Sequence, residues 1–394
     1  MSLRAQTDTL RMAYSVQGIV TDAESGRVVE SALVSIPGTT SATVTNSDGV
    51  FIIKSSAPFD ALQVSCLGYK TVIAYISAGK LLRVKLKPEL LALEGATIIS
   101  GAPAEIVRAA VKKIPDNYAK EPELLECFYR ETVRKRNRYT YISEAVARMY
   151  KTGYDDGVWR DRTALEKSRV LLSQRRSDTL SVKVQGGPAQ AMLLDPVKNR
   201  EVLLGDDVRE LYTFEMASPI YINGRLNFVI AFRPGPVDCD IALNYGTLYI
   251  DSEDLTFTRI EMSMDVSDQN KAVRRLVVKK PLTLRLAPKE MSIVANYVRV
   301  GDHSLLSYFR STYRFNCDWK KRLFATSYTA VNELVVTDIR RPALPIAKED
   351  AFRTADILCD KAAEFLDQDF WQDYNIIEPS ESLEHAVGRL RKGR

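Results

Sequence analysis

The residues best suited to catalysis are few and widely spaced in this chain of 394 residues. Its two histidines, His303 and His385, begin neither the H-E-x-x-H nor the H-x-x-E pattern with which a zinc peptidase holds its metal. The segment 301–304 joins Gly, Asp, His and Ser, but the surrounding sequence lacks the strand, elbow and helix that expose a nucleophilic serine. We therefore predict no catalytic residues and no metal site, and we interpret the chain as non-enzymatic.

Paired carboxylates are the remaining candidates for hydrolytic chemistry. A glycosidase needs two carboxyl groups that face each other across a cleft. Three pairs occur, and each lies beside Gly or Pro residues that are typical of turns, where an Asp side chain accepts hydrogen bonds from nearby main-chain groups. We interpret them as structural, with a hydrolase as the alternative; they are Asp155 and Asp156, Asp206 and Asp207, and Asp238 and Asp240.

Cofactor motifs are missing from the sequence. No G-x-x-x-x-G-K or G-x-G-x-x-G pattern is present, so no nucleotide cofactor is expected. The cysteines are far apart and form no C-x-x-C pair, which argues against a zinc ribbon and a disulfide framework. We predict no cofactor and interpret the cysteines as buried, unpaired thiols: Cys66, Cys127, Cys239, Cys317 and Cys359.

One cluster combines cations with aromatic rings. Arg134, Arg136 and Arg138 stand beside Tyr139, a pattern that an anion or an acidic glycan could use. The alternative is a hairpin tip of solvated side chains. The net charge of +5 is spread over the whole chain, so the composition does not indicate a nucleic acid partner.

The secondary structure that would position these side chains begins with a run of short strands between residues 14 and 88. Apolar residues alternate through Val16, Gly18 and Val20, and the pattern recurs in later segments separated by Asn, Asp and Gly turns. Consecutive strands of this length predict a small β-sandwich as the first domain. The later runs are Ala32, Val34 and Ile36; Val50 and Ile52; Leu62, Val64 and Cys66; and Leu82, Val84 and Leu86.

Four motifs within this region resemble the carboxypeptidase-regulatory-like domain family. They are the runs Gln17 to Asp22, Ala32 to Ile36, Thr43 to Phe51 and Val64 to Tyr69. The resemblance implies a transthyretin-like sandwich of seven strands, commonly found at the N-terminus of exported proteins and outer-membrane transporters of Bacteroidota. It implies no peptidase activity.

The larger region, residues 124–340, shows a two-residue period and predicts a curved antiparallel meander, with turns at 251–254 and 317–320. The run Gly246 to Asp251, followed after a turn by Thr258 to Glu261, resembles the curved half-barrel of bacterial lipoprotein carriers. One face of such a sheet can hold an apolar ligand. The groove is predicted from bulky strand residues: Phe228, Ile230, Phe232, Tyr249 and Tyr297.

Helices are expected on both sides of this sheet. Residues 89–123 form a linker, in which the apolar run 90–99 is expected as an edge strand and Pro103 begins an amphipathic helix that ends before Pro115. The C-terminal segment, residues 341–394, shows helical spacing through Phe352, Ala355 and Leu358, and a basic helix is expected over 384–392. The helix around 352–370 is a candidate lid for the groove.

The two ends complete the interpretation. Residues 1–13 are expected to be flexible, with an expression leader followed by the first mature residues after a removed export signal. Phe128 to Glu131, Glu144 to Val146 and the tail Phe370 to Pro379 extend a resemblance to uncharacterised two-domain envelope proteins of Bacteroidota. The chain is thus expected to be exported, to the periplasm or outer membrane of a Gram-negative bacterium. The expected partner is an apolar ligand or an envelope protein, with peripheral membrane association possible.

Overall fold

The fold is mainly β, as the sequence predicts. The computed structural model describes residues 14–77, 79–89, 102–173, 183–237, 239–278, 283–319, 325–361, 371 and 374–392. The expected flexible N-terminus and the expected edge strand at 90–99 lie outside these residues. Within the described chain, no helix is both long enough and apolar enough to cross a membrane.

The N-terminal unit is a sandwich of seven strands in two sheets, as predicted. The strands are β1 (Tyr14–Asp22), β2 (Leu33–Ser35), β3 (Ala42–Val44), β4 (Val50–Ser55), β5 (Ala61–Ser65), β6 (Val72–Tyr75) and β7 (Leu82–Leu86). One sheet has the order β4-β1-β7 and the other the order β3-β2-β5-β6.

The sandwich has its own hydrophobic core, which includes Val20, Val34, Leu62 and Val84. The prediction for β4 was wrong by one residue, because Phe51 and Ile53 are fully buried whereas Val50 and Ile52 are only partly buried. All four side chains are apolar, so the alternation in the sequence could not show which set faces inward.

The second unit is a single antiparallel sheet of ten strands that curves around a large core. The strands are β8 (Glu123–Lys135), β9 (Arg138–Lys151), β10 (Arg162–Leu172), β11 (Tyr212–Ile222), β12 (Arg225–Pro234), β13 (Asn244–Asp251), β14 (Phe257–Met264), β15 (Leu284–Val300), β16 (His303–Trp319) and β17 (Thr326–Arg340). Their order in the sheet is β10-β9-β8-β17-β16-β15-β14-β13-β12-β11, so the long pairing of β8 with β17 joins the two ends of the region.

The concave face of this sheet is covered by helices and irregular chain. Helix α1 (Pro103–Lys112) buries Val107, Ala110 and Val111 there, as its pattern predicts, and α2 (Ile114–Asn117) follows, with Pro115 in its first turn. The expected continuous meander was wrong between β10 and β11, where the chain enters the concavity with α3 (Ala189–Leu193) and α4 (Asp206–Arg209). Two short 3₁₀ turns, Val158–Arg160 and Arg200–Val202, also interrupt the strands.

The remaining helices are α5 (Gln269–Leu276), α6 (Leu358–Lys361) and α7 (Glu381–Lys392). The basic C-terminal helix is confirmed as α7. The helical spacing through Phe352 and Ala355 was misleading, because Phe352 forms an isolated bridge to Thr163 and the chain turns before α6 begins. The rest of the predicted lid, residues 362–370, lies outside the described chain.

The sandwich rests on the convex face of the large sheet, with a C-terminal strap between them. We define the strap as Trp371 and residues 374–379. Trp371, Ile376 and Ile377 pack in one buried cluster with Val44 of the sandwich and Phe128 of the sheet. The strap therefore links the two units, and the concave face on the other side remains available for a site.

Candidate functional site

A cavity of about 870 Å³ lies between the concave face of β14–β17 and the chain that covers it. Its volume falls within the range of about 300–1,000 Å³ that is typical of small-molecule sites. Apolar side chains from all four strands form its sheet wall, including Met262, Met264, Leu284, Met291, Phe315 and Trp319.

The sheet wall is built from side chains that face each other across neighbouring strands. Leu284 pairs with Trp319 and Met291 pairs with Tyr313 in the register of β15 and β16. A bulge between Pro288 and Glu290 shifts the register of β15. Side chains alternate between faces along a strand, so two residues an odd number of positions apart would normally face opposite sides. The extra residue of the bulge lets Leu284 and Met291 share the concave face.

The opposite wall comes from three separate parts of the chain. These are the segment that contains α3, the end of α5, and the turn before α6, which contributes Thr354 and Ile357. Val278 is 82% exposed and Leu193 is 42% exposed, although both border the cavity. These apolar side chains mark the mouth, where the cavity meets solvent.

The described lining offers little for hydrolysis. It includes no Asp, Glu, His or Ser among the residues that the structure describes. Its strongest nucleophile is Cys317, and burial raises the pKa of this thiol to about 11, so that the reactive thiolate is disfavoured at neutral pH. The cavity can therefore hold an apolar molecule but has no arrangement for acid–base or nucleophilic chemistry in its described wall.

A charged cluster lies deeper in the concave core. Lys151 forms an ion pair with Asp195, which also accepts a hydrogen bond of 2.6 Å from the Tyr297 hydroxyl. Burial lowers the pKa of Lys198 to about 8, and its ammonium donates to the carbonyl oxygen of Thr152 at 3.0 Å. The Lys and Asp side chains named here are at most 2% exposed, so we interpret the cluster as an anchor for the inserted segment.

The five residues predicted to form a groove are placed elsewhere. Phe228, Ile230 and Phe232 face the concave core and are buried there, and none of them lines the cavity at β14–β17. Tyr249 lies between the inward-facing Leu248 and Ile250 and therefore faces the opposite side of the sheet. Tyr297 belongs to the buried charged cluster.

The predicted cationic patch forms the tip of the β8–β9 hairpin. Arg136 is exposed in the turn with a φ of 54°, and Arg138 begins β9. The Arg134 guanidinium stacks on the Tyr139 ring at 5.6 Å, and that ring also contacts the cluster that holds α7. The hairpin tip lies at the end of the sheet where Tyr328 lines the cavity, because Lys135 of β8 pairs with Tyr328 of β17. An anion-binding role for the patch stays a prediction.

Three of the candidate carboxylates are held in local ion pairs. Asp155 contacts Arg200 at 2.9 Å and Asp156 contacts Arg160 at 2.8 Å. Asp206 pairs with Arg209 in α4, whereas Asp238 lies outside the described chain. His303 begins β16 beside Glu123, and His385 lies in α7. The described residues contain no group of three or more metal-ligating side chains.

The cysteines are all free, in agreement with the prediction. Cys127 and Cys317 are buried, but Cys66, Cys239 and Cys359 are only half-buried, so the prediction of burial was wrong for these three.

Several lining residues were missed at the sequence level. The segment 317–320 was interpreted as a turn, yet β16 continues through Trp319 and brings Cys317 and Trp319 to the cavity wall. The alternation of Met262 and Met264 was visible, but nothing local distinguished their strand from the others. The pairing of β14–β17 around an unfilled space is a property of the assembled sheet.

Comparison with known proteins identifies the first unit. Residues 16–98 match the model of the CarboxypepD_reg-like domain. The N-terminal unit is a CarboxypepD_reg-like domain. This domain is the seven-stranded sandwich described above, and the predicted family resemblance is confirmed. No curated protein matches the chain.

Solved structures resemble larger parts of the chain at low identity. One is described as an outer membrane lipoprotein-sorting protein domain from Vibrio parahaemolyticus, with 12% identity, a TM-score of 0.25, and coverage of 63% of this chain and 96% of that chain. A LolA superfamily protein from Nitrosomonas europaea has 8% identity, a TM-score of 0.20 and coverages of 61% and 96%. A membrane-associated protein of unknown function from Bacteroides fragilis has 10% identity, a TM-score of 0.15 and coverages of 83% and 98%. Likeness at these TM-scores carries no functional argument.

Proposed function

We propose that this chain is a non-catalytic binding protein of the cell envelope and that its curved sheet holds the hydrocarbon chain of an amphiphilic ligand. The observation that carries the proposal is the apolar cavity of about 870 Å³ beside β14–β17. The resemblance of the N-terminal domain to domains of exported Bacteroidota proteins supports the location in the envelope.

The energetics favour an acyl chain as the occupant. Burying one methylene group stabilises a complex by about 0.8 kcal/mol, so a chain of about twelve carbons gains roughly 10 kcal/mol before the losses on association. Met262, Met264 and Met291 line the wall, and their unbranched thioether side chains adapt to ligands of irregular shape. We do not propose the alternative, a hydrolase with paired carboxylates, because none of the described lining residues is acidic.

Titration with a fluorescent fatty-acyl probe tests the proposal, and we expect saturable binding with a stoichiometry of one chain per cavity. Ala330 lines the cavity on β17, so Ala330→Trp should fill the space and abolish uptake. Thr329→Trp is the matched control, because Thr329 is adjacent on the same strand and faces the other side of the sheet.

Both variants should unfold at a temperature close to that of the wild type, which would show that the fold is retained. An absence of saturable uptake by the wild-type protein would contradict the proposed function. Equal loss of binding in both variants would place the ligand somewhere other than this cavity.

A further inference from the structure

The helix that ends at the cavity mouth carries three cations, of which Lys271 and Arg274 interact with the carboxylate of Asp268 at the start of the same helix. Helix α5 ends at the mouth, and Lys271, Arg274 and Arg275 lie along it. Lys271 donates to the carbonyl oxygen of Cys239 at 2.7 Å, and Arg274 donates to that of Asp240 at 3.1 Å. Arg275 donates to the carbonyl oxygen of Ala242. All three cations thus bind main-chain oxygens of one loop.

Arg275 differs from its neighbours because it lines the cavity. One guanidinium nitrogen, Nη1, is committed to the carbonyl of Ala242, and no ion pair joins Arg275 to a carboxylate among the described residues. Arg275 is exposed as a residue, and partial burial of its guanidinium lowers the pKa of that group. Two of its three nitrogens are therefore left to bind a ligand at the point where the apolar wall meets solvent.

The other cation on the cavity rim is already paired. Lys183 lies in the segment before α3 and contacts Asp360 at 2.5 Å. The nearby Asp356 is likewise paired, with Arg353 and Lys361. The acidic groups near α6 are thus in ion pairs with cations. Among the charged residues of the described lining, Arg275 is the one without an ion-pair partner.

We propose that Arg275 binds the anionic headgroup of the ligand, so that the protein selects amphiphiles with one terminal carboxylate or phosphate and one hydrocarbon chain. This inference rests on the proposed function and names the ligand class. A guanidinium matches a carboxylate or phosphate with two parallel hydrogen bonds, and these bonds strengthen where water is partly excluded. The hydrocarbon chain then lies along Met264, Leu284 and Met291.

The test is competition against a fluorescent alkyl amide with an uncharged headgroup, with the full chain as the binding protein. The competitors share a dodecyl chain and are used below their micelle concentrations: dodecanoate, dodecyl phosphate, and neutral dodecyl maltoside. Inorganic phosphate tests whether the headgroup alone is enough. We expect both anions to bind about tenfold more tightly than the maltoside in the wild type, as for one charge-assisted contact, and we expect no displacement by inorganic phosphate.

Arg275→Gln should bring the anions to the affinity of the maltoside without weakening the maltoside itself. Arg274→Gln is the matched control, since this residue is adjacent, lies in the same last helical turn and also binds a loop carbonyl, but does not line the cavity. Should Arg275→Gln fail to fold, Arg275→Lys together with increasing salt reports on the same contact, because both should reduce the anion preference.

The outcomes separate the two proposals. Equal binding of anions and maltoside, or equal loss of preference in both glutamine variants, would overturn the role of Arg275 while leaving the cavity as a site. If inorganic phosphate displaced the fluorescent probe, the ligand would be a simple anion and not an amphiphile. Failure of every dodecyl compound to displace the probe would overturn the proposed function itself.

Discussion

Arg130 and Glu144 form a buried ion pair on the convex face of the large sheet, with 2.7 Å between nitrogen and carboxylate oxygen and each side chain at most 5% exposed. The same guanidinium donates to the carbonyl oxygen of Ile377 at 2.7 Å, so the pair also holds the C-terminal strap. Arg169 contacts the second oxygen of Glu144, and its guanidinium lies 4.9 Å from the centre of the Trp371 ring. The sheet therefore holds the strap through charged groups as well as apolar contact.

Removing the charge of Glu144 should lower the stability of the folded protein. We expect Glu144→Gln to lower the free energy of unfolding by about 3–5 kcal/mol, because two guanidiniums would be left without their carboxylate in a buried site. Urea denaturation measures the change. Glu105→Gln is the control, since Glu105 pairs with Arg108 on an exposed surface and should cost less than about 1 kcal/mol.

The effect should depend on pH. Burial alone would raise the pKa of Glu144, but Arg130 and Arg169 outweigh it and hold the pKa below its usual range. A lowered pKa contributes stability above the unfolded pKa of about 4.5, and this stability is lost as the pH falls through the folded pKa. The difference between the wild type and Glu144→Gln should shrink on acidification. A large difference that persists at low pH would contradict this account.

The strap should control how the two units dock. The side chain of Asn375 accepts a hydrogen bond from the Lys54 amide at 2.7 Å and donates one to the Lys54 carbonyl at 3.1 Å. Asn375→Ala removes both bonds and leaves the partly buried main-chain groups of Lys54 without them, which should cost about 1–3 kcal/mol. Limited proteolysis should then cut near the strap sooner. Ser382→Ala, on the exposed surface of α7, should be cut as slowly as the wild type. Equal resistance of both variants to proteolysis would contradict the proposed role of the strap in docking.

Glu131 should make stability fall as the pH rises. It is fully buried on the concave side and accepts hydrogen bonds from the hydroxyls of Tyr129 and Tyr141, and burial raises its pKa to about 7. A raised pKa contributes stability below the unfolded pKa, which is lost as the pH rises through about 7. Relative to Glu131→Gln, the wild type should lose about 2–3 kcal/mol between pH 5 and pH 8. Parallel stability curves for the two proteins would show that the carboxyl does not titrate there.

Gly18 should tolerate no side chain. A Cβ atom at this position would lie 2.4 Å from the Phe51 ring and 2.8 Å from the main-chain oxygen of Leu82. Gly18→Ala should therefore destabilise the CarboxypepD_reg-like domain by about 1–3 kcal/mol, as overpacking does in other cores. In α7, Gly388 has free space around it, so Gly388→Ala should be neutral or stabilising by up to about 1 kcal/mol. Differential scanning calorimetry distinguishes the two, and equal melting temperatures would refute the steric argument.

Local patterns in the sequence determined much of the architecture. The alternation around Val20 and Val34 predicted the sandwich strands, and the spacing of Val107, Ala110 and Val111 predicted α1. These signals work because the period of side chains along a strand or helix depends on local geometry alone. The lack of spaced histidines and cofactor motifs likewise shaped the functional interpretation, because such motifs are short and can be read directly from the chain.

The position of the cavity depended on tertiary structure. The groove was predicted around Phe228 and Ile230, which are buried in the core, whereas the cavity lies beside Met291. The shape of the sheet depends on the pairing of β8 with β17, which are far apart in the sequence. The bulge after Pro288 determines which residues of β15 face inward. Alternation shows that a residue faces inward, but only the assembled sheet determines what it meets there, because packing is a property of all the layers together.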